Sequence, residues 1–189
     1  MRIISGKHRG KQLHPPKNLP VRPTTDFARE GLFNILNNLV DFEDLRVLDL
    51  FAGTGSISCE FISRGSGEVI AIDNNYQCSR FIEKMATELK TDNLVAICMD
   101  AFQYLERSNE SFDLVFADPP YNMEGIEQIP ELVFKKNLLR ENGLFILEHS
   151  KHHDFSAHPR FSQKRVYGNV NFSFFQPPSP SLTPPGGRE

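Results

Sequence analysis

No stretch of this sequence holds the roughly 18 consecutive apolar residues that a membrane-crossing helix needs, and Met1-Arg2-Ile3-Ile4-Ser5-Gly6-Lys7 lacks the apolar core of a secretory leader. A soluble, cytoplasmic protein with no membrane partner is expected. Cysteine is scarce: Cys59, Cys78 and Cys98 are odd in number, widely spaced, and form no Cys-x-x-Cys pair. That pattern offers neither a disulfide framework nor a zinc site, so reduced thiols in or near the core, and no metal, are expected. His149, His152, His153 and His158 fall close together without paired ligand spacing and are expected in exposed or loop positions. Acidic residues are absent from Met1 to Thr25, a stretch that carries Arg2, Lys7, Arg9, Lys11, Lys17 and Arg22 with His8 and His14. The net charge of −3 argues against a polyanion partner, but its distribution puts a basic arm on an acidic body.

What is present suits one domain of 189 residues with 39% hydrophobic content. After the basic arm (1–25), Phe27, Leu32, Phe33, Ile35, Leu36 and Leu39 recur at helical spacing, predicting a helix over 27–40 capped by Thr25 or Asp26. Short apolar runs at 46–50, 68–73, 94–99, 112–117 and 143–148 read as strands, and 56–64, 75–89, 101–107 and 127–135 as helices between them. Such alternation predicts a doubly wound, mostly parallel sheet with helices on both faces, its ligand site at the carboxyl ends of the strands. Two β-rich runs around Gly168-Asn169 predict an antiparallel hairpin closing one sheet edge, and the domain is expected to span 26–176. Residues 177–189 hold five prolines, two glycines and one aliphatic side chain, too little to bury, and are expected to be disordered.

The first strand runs into Asp49-Leu50-Phe51-Ala52-Gly53-Thr54-Gly55-Ser56. Gly53 and Gly55 allow backbone amides to approach a ligand closely, yet position 58 is Ser, which makes a pyrophosphate-cradling Gly-x-Gly-x-x-Gly a poor fit. Asp73 ends the second strand about twenty residues later, where a carboxylate can accept both hydroxyls of a ribose. The same residue could instead cap the Asn74-Asn75 turn. Asp100-Ala101 closes the third strand, where Asp100 is equally suited to cap the following helix. The most informative motif is Asp118-Pro119-Pro120-Tyr121 at the end of the fourth strand. Two prolines remove two donors and make a rigid elbow, so the Asp118 carboxylate and the Pro119 carbonyl can accept the two N–H bonds of a base amine while Tyr121 stacks on the base.

The Asp-x-Phe-x-Gly-x-Gly turn resembles motif I of the class I (Rossmann-like) methyltransferases, and Asp-Pro-Pro-Tyr resembles motif IV of those that modify amino groups. Together with Arg2-Ile3-Ile4-Ser5-Gly6-Lys7-His8-Arg9-Gly10-Lys11, Arg22-Pro23-Thr24-Thr25-Asp26, Arg29-Glu30, Leu32-Phe33-Asn34, Ser63-Arg64-Gly65 and Tyr167-Gly168, they make residues 2–176 similar to the RsmD family. That resemblance implies a seven-stranded class I fold with a basic N-terminal extension. It also implies methyl transfer from S-adenosylmethionine to N2 of guanine 966 in 16S ribosomal RNA, within the small subunit or its assembly intermediate, by a monomer. The cofactor is expected to touch Asp49, Phe51, Gly53, Gly55, Asp73, Asp100, Ala101 and Asp118. Asp118, Pro119 and Tyr121 are expected to be catalytic, and Arg2, Lys7, Arg9, Lys11, Arg22 and Tyr121 to contact RNA. Thr54, Asp73 and Met85 stand where this family often has serine, glutamate and asparagine. Rival readings are an adenine-N6 DNA methyltransferase, a non-catalytic ribosome-assembly factor and a protein glutamine methyltransferase; the chain leaves no room for a DNA target-recognition domain.

Overall fold

The computed structural model describes residues 1–16, 19 and 25–177. Lys17, Arg22 and the Pro-Thr pair after it lie outside the described residues, as does the expected disordered tail beyond Pro177. Twelve elements follow in order: α1 (Asp26–Leu36), β1 (Arg46–Leu50), α2 (Ser56–Ser63), β2 (Glu68–Asp73), α3 (Tyr76–Leu89), β3 (Leu94–Cys98), α4 (Ala101–Arg107), β4 (Phe112–Ala117), α5 (Gln128–Lys135), β5 (Leu139–His149), β6 (Phe161–Tyr167) and β7 (Val170–Phe175). The seven strands form one sheet in the order β3-β2-β1-β4-β5-β7-β6. β1 to β5 pair in parallel, and β7 runs antiparallel to both β5 and β6. The chain winds outward from β1 to β3 and then returns past β1 to β4, so the switch point lies between β1 and β4, where such sheets open a crevice at their carboxyl ends.

Alternation along each strand divides the apolar side chains between two cores. Val47, Val69, Ala71, Leu114, Phe116 and Ile146 pack with Leu32 and Phe33 of α1, Phe61 of α2 and Ile82 of α3. Their neighbours Leu48, Ile70, Ile72, Val115, Phe145 and Leu147 pack on the other face with Leu105 of α4 and Ile129 and Val133 of α5. This two-sided burial is why the strands read as continuous apolar runs.

The N-terminal segment docks on α2. Ile3 and Leu13 are buried in the first core, each contributing roughly 1.5–3 kcal/mol of apolar burial. The amides of Ile4 and Ser5 donate to the buried carboxylate of Glu60 at 2.8 and 3.0 Å, and the Lys7 amide donates to the Ser63 carbonyl at 2.6 Å. Gly6 lies so close to α2 that a Cβ there would sit 1.8 Å from the Ser63 oxygen.

Several expectations need correction. α1 ends at Leu36, four residues short of Val40, because Asn37 and Asn38 pass into turns in which Asn38 and Leu39 donate to the carbonyls of Ile35 and Leu36. β5 begins at Leu139 rather than Gly143: after Leu139 it passes through the polar Arg140-Glu141-Asn142 with a register irregularity between Phe112 and Leu114 on β4, which hides the start from an apolar-run reading. The strand also runs one residue further, to His149, which is fully buried rather than exposed. Its Nδ1 donates to the Ser150 carbonyl and its Nε2 meets the Ser173 hydroxyl, both at 2.8 Å, and burial lowers its pKa. Cys59 and Cys78 are buried, but Cys98 is exposed because β3 is a sheet edge. Among the described residues no helix is long and apolar enough to cross a membrane.

Candidate active site

β1 ends in a backbone that alternates into the left-handed region at Phe51 (φ 61°), Gly53 (φ 53°) and Gly55 (φ 68°). For Phe51 this is a strained conformation, held by the Ala52 amide donating to the Ile72 carbonyl at 2.9 Å and by Gly55 donating to Ala52 at 2.7 Å. Gly55 has a second constraint, since a Cβ would come 2.7 Å from the Ile82 side chain. The turn stands at the start of α2, where the Asp49 carboxylate accepts from both the amide and the hydroxyl of Ser58. Asp49 is completely buried, and desolvation raises its pKa to about 7 despite those bonds.

Asp73 serves the same turn from β2. One of its carboxylate oxygens accepts from the Gly53 amide at 2.8 Å and the other from the Asn75 amide at 2.8 Å. The turn-capping role and the cavity-facing position therefore coexist in one residue. Asp100 caps α4, accepting from the Gln103 amide at 3.0 Å, and also faces the cavity.

The cavity has a volume of about 790 Å3. Asp49, Phe51, Gly53, Asp73, Asp100, Ala101, Asp118 and Tyr121 line it, so nearly all the residues expected from sequence come together. Gly55 and Pro119 are not in the lining, although their neighbours Thr54 and Pro120 are. Among the described residues the wall carries five carboxyls, those of Asp49, Asp73, Asp100, Asp118 and Glu148, and no lysine, arginine or histidine. A strongly acidic, cation-free wall beside a glycine cradle fits a ligand that is itself positively charged.

Two features of the wall escaped the sequence reading. Glu148, at the end of β5, is only 2% exposed and accepts from the Tyr121 hydroxyl at 3.3 Å. Burial and the charge of Asp118 push its pKa up to about 9. The signal was a carboxylate terminating the apolar run Leu144–Leu147, in the same position that drew attention to Asp73 and Asp118. The other feature is a lip in which Thr25, the N-cap of α1, and Phe27 line the cavity together with Tyr167, Gly168 and Asn169 of the last hairpin. Tyr167 donates to the Gly31 carbonyl at 3.1 Å and lies against that glycine so closely that a Cβ would be 2.2 Å from its ring. Phe27, 67% exposed, stacks edge-on against Tyr167 at 5.8 Å. Pairing by long-range contact leaves no local mark in sequence.

Of the expected RNA-contacting residues Tyr121 lines the cavity, Arg22 lies outside the described residues, and Arg2, Lys7, Arg9 and Lys11 are not in the lining. Lys7 and Arg9 are exposed with no ion pair among the described residues. Arg2 instead pairs with Asp26 and Glu30 at 3.8 and 3.3 Å, and Lys11 reaches the carbonyl and carboxylate of Glu88.

The family described as Conserved hypothetical protein 95 matches residues 1–176. Ribosomal RNA small subunit methyltransferase D of Buchnera aphidicola (subsp. Baizongia pistaciae) is 31% identical over 148 residues, 78% of this chain and 75% of that protein. Among solved structures, a protein called putative methyltransferase yhhF, from Escherichia coli, superposes with a TM-score of 0.82 at 29% identity, over 95% of this chain and 99% of its own. The Thermus thermophilus 16S rRNA N2 G1207 methyltransferase, solved with AdoMet and guanosine, superposes with a TM-score of 0.66 over 83% of this chain and 44% of its own. At 18% identity that likeness speaks for the fold alone.

Proposed function

Because the chain belongs to the RsmD family, whose description is Conserved hypothetical protein 95, we propose that it transfers a methyl group from S-adenosylmethionine to N2 of guanine 966 in 16S ribosomal RNA, acting in the cytoplasm on the small subunit or its assembly intermediate. The observation that carries the reading is the Asp118-Pro119-Pro120-Tyr121 elbow opening into an acidic cavity beside the glycine turn.

The cofactor's fit rests on the wall's carboxyls: although burial raises the pKa of Asp49 and Glu148, Asp73, Asp100 and Asp118 also face a sulfonium and an ammonium group, with no lysine, arginine or histidine among the described lining residues. When bound, S-adenosylmethionine supplies an activated methyl group, so no metal or covalent nucleophile is needed. The turn from Phe51 to Gly55, whose Ala52, Gly53 and Gly55 amides hold its own shape, brings its backbone close to the cofactor, Asp73 takes the ribose hydroxyls, and Asp100 with the Ala101 backbone takes the adenine. Asp49 acts one step back by fixing the start of α2 through Ser58.

On the acceptor side the amine of guanine is a weak base, its lone pair delocalised into the ring. Asp118 and the Pro119 carbonyl accept its two N–H bonds, which favours pyramidal nitrogen and aims the lone pair at the methyl group. Tyr121, 40% exposed with its hydroxyl fixed on Glu148, presents a face for the extruded base. Asp118 does not have to be a strong base, because the proton can leave after transfer. Lys7 and Arg9 supply phosphate contacts, with Arg2, Lys11 and Arg22 nearby in sequence, so affinity is salt-dependent while selection of one guanine comes from RNA shape and the pocket.

Nuclease digestion of ribosomal RNA from a strain lacking the gene checks this directly. One N2-methylguanosine is expected to disappear and to return on complementation with the wild-type gene. Loss of a different modified base, or of none, removes the reading.

A further inference from the structure

Glu148 occupies a position that the reading above leaves without a role. β4 and β5 stay in register up to Ala117 and Leu147, so Asp118, just past the end of β4, and Glu148, the next residue of β5, stand side by side at the cavity wall. The Tyr121 hydroxyl, three residues beyond Asp118, turns back to donate to Glu148 Oε1 at 3.3 Å. Both ends of the elbow thus converge on one buried carboxyl. Among the described residues no group donates a hydrogen bond to its Oε2, which is also buried. A carboxylate oxygen shut away from water, without a donor and beside a second carboxylate, is better served by carrying its own proton.

Resting on the base-amine reading, we propose that Glu148 is a positioning residue for methyl transfer: a neutral carboxylic acid that shares its proton with Asp118 and anchors the Tyr121 hydroxyl. The acceptor end of the cavity then holds one negative charge instead of two. Asp118 keeps lone pairs directed at the base amine, because Glu148 attracts its carboxylate where an ionised neighbour would repel it. Tyr121 keeps the ring orientation on which the base stacks.

Among the described residues few groups act on Glu148. Asp118 and Tyr121 face it from β4 and the following elbow, and β7 presents the uncharged Phe172 opposite it. Burial, foremost, and the Asp118 charge push it up to about 9, so the acid is neutral at ordinary pH and ionises on the alkaline side. Since the protonated form is the working one, activity is retained below that value and lost as pH rises through it.

The test is single-turnover methyl transfer to undermethylated small subunits between about pH 6 and about pH 10, with wild type, Glu148→Gln and Glu148→Ala. S-adenosylmethionine binding and thermal unfolding of each protein report folding. Glu148→Ala is expected to lower kcat by about 100-fold at neutral pH with KM for the subunit changed less than about threefold. Glu148→Gln, which keeps a neutral donor of the same shape, recovers most of that loss, and its rate no longer falls above about pH 9 as the wild type's does. Ionisation of the base or of Tyr121 appears in both proteins and cancels in the comparison. If Gln is as slow as Ala, the carboxyl works ionised and the proposal is wrong; if Ala transfers methyl groups as fast as wild type, Glu148 positions nothing. A wild-type protein inactive at every pH would instead strike the base-amine reading itself.

Discussion

The two ends of the cavity handle carboxylates in opposite ways. Around β1, β2 and β3, each acid is tied to backbone: Asp49 to the Ser58 amide, Asp73 to those of Gly53 and Asn75, Asp100 to that of Gln103. At β4 and β5, Asp118 and Glu148 lie against one another, with the Tyr121 hydroxyl on the second. Carboxylates held by amides keep their geometry whatever enters, which suits a site that grips a constant ligand. A pair of acids sharing one charge responds to its contents, which suits the end where a base arrives and a proton must leave.

The comparison breaks most visibly at Asp118. Replacing it with Ala is expected to lower kcat by about 1000-fold while the Kd for S-adenosylmethionine rises by no more than about tenfold. Radiolabelled methyl transfer and calorimetric binding on the same preparation measure the two effects. Equal losses would mean that the cavity has no separate acceptor end.

A second effect concerns stability. An unfolded Glu148 ionises near the ordinary carboxylate value of 4.5, whereas the folded one holds its proton to about 9. Between these limits the native state binds the extra proton, so this residue's cost to folding is absent below the lower value, grows as pH rises and levels off above the upper one. Glu148→Gln removes that cost and is expected to be more stable than wild type at pH 7, the gap closing toward pH 4. Denaturant unfolding at several pH values tests this. The tied carboxylates at the other end offer no counterpart: in Asp73→Asn the loss of one of two amide acceptors should only destabilise.

How much of this was legible beforehand followed the range of the interactions. β1, β2, β4 and α4 have the bounds that their apolar runs predict, because both strand faces are buried and the flanking turns are sharp. The acids at the strand ends were found because strand, turn and carboxylate are contiguous in sequence. Glu148 was hidden by its company: its partners Asp118 and Tyr121 stand 27 or more residues away, and only the β4–β5 register unites them. The lip formed by Phe27 and Tyr167 escaped for the same reason, depending on a contact between α1 and the last hairpin across 136 residues at Gly31. His149 was misjudged because β5 runs one residue past its apolar run, into a buried polar slot completed by Ser173.

At the cofactor end the expected effects are smaller. Asp73→Asn keeps an oxygen but loses a charge and one acceptor, so the Gly53 amide or the Asn75 amide is left short. S-adenosylmethionine affinity should fall about tenfold, with kcat at saturating cofactor within about threefold of wild type. A fall in kcat matching that of Asp118→Ala would erase the distinction between the two ends.

The smallest effects are expected outside the cavity, where basic residues of equal formal charge differ in what they already hold. Lys7 and Arg9 are exposed without an ion pair among the described residues, so their charge is available to phosphate. Arg2 and Lys11 are engaged with Asp26, Glu30 and Glu88, exposed pairs worth about 0–1 kcal/mol each. Removing Lys7 and Arg9 together should weaken subunit binding severalfold and lower the slope of log K against log salt by about 2, leaving S-adenosylmethionine binding unchanged. Removing Arg2 and Lys11 should change that slope by about 1 or less, because each cation must give up an intramolecular partner before it can meet a phosphate. Filter binding of small subunits over a salt series separates the two pairs, and identical slopes would mean that the internal ion pairs open freely when RNA binds.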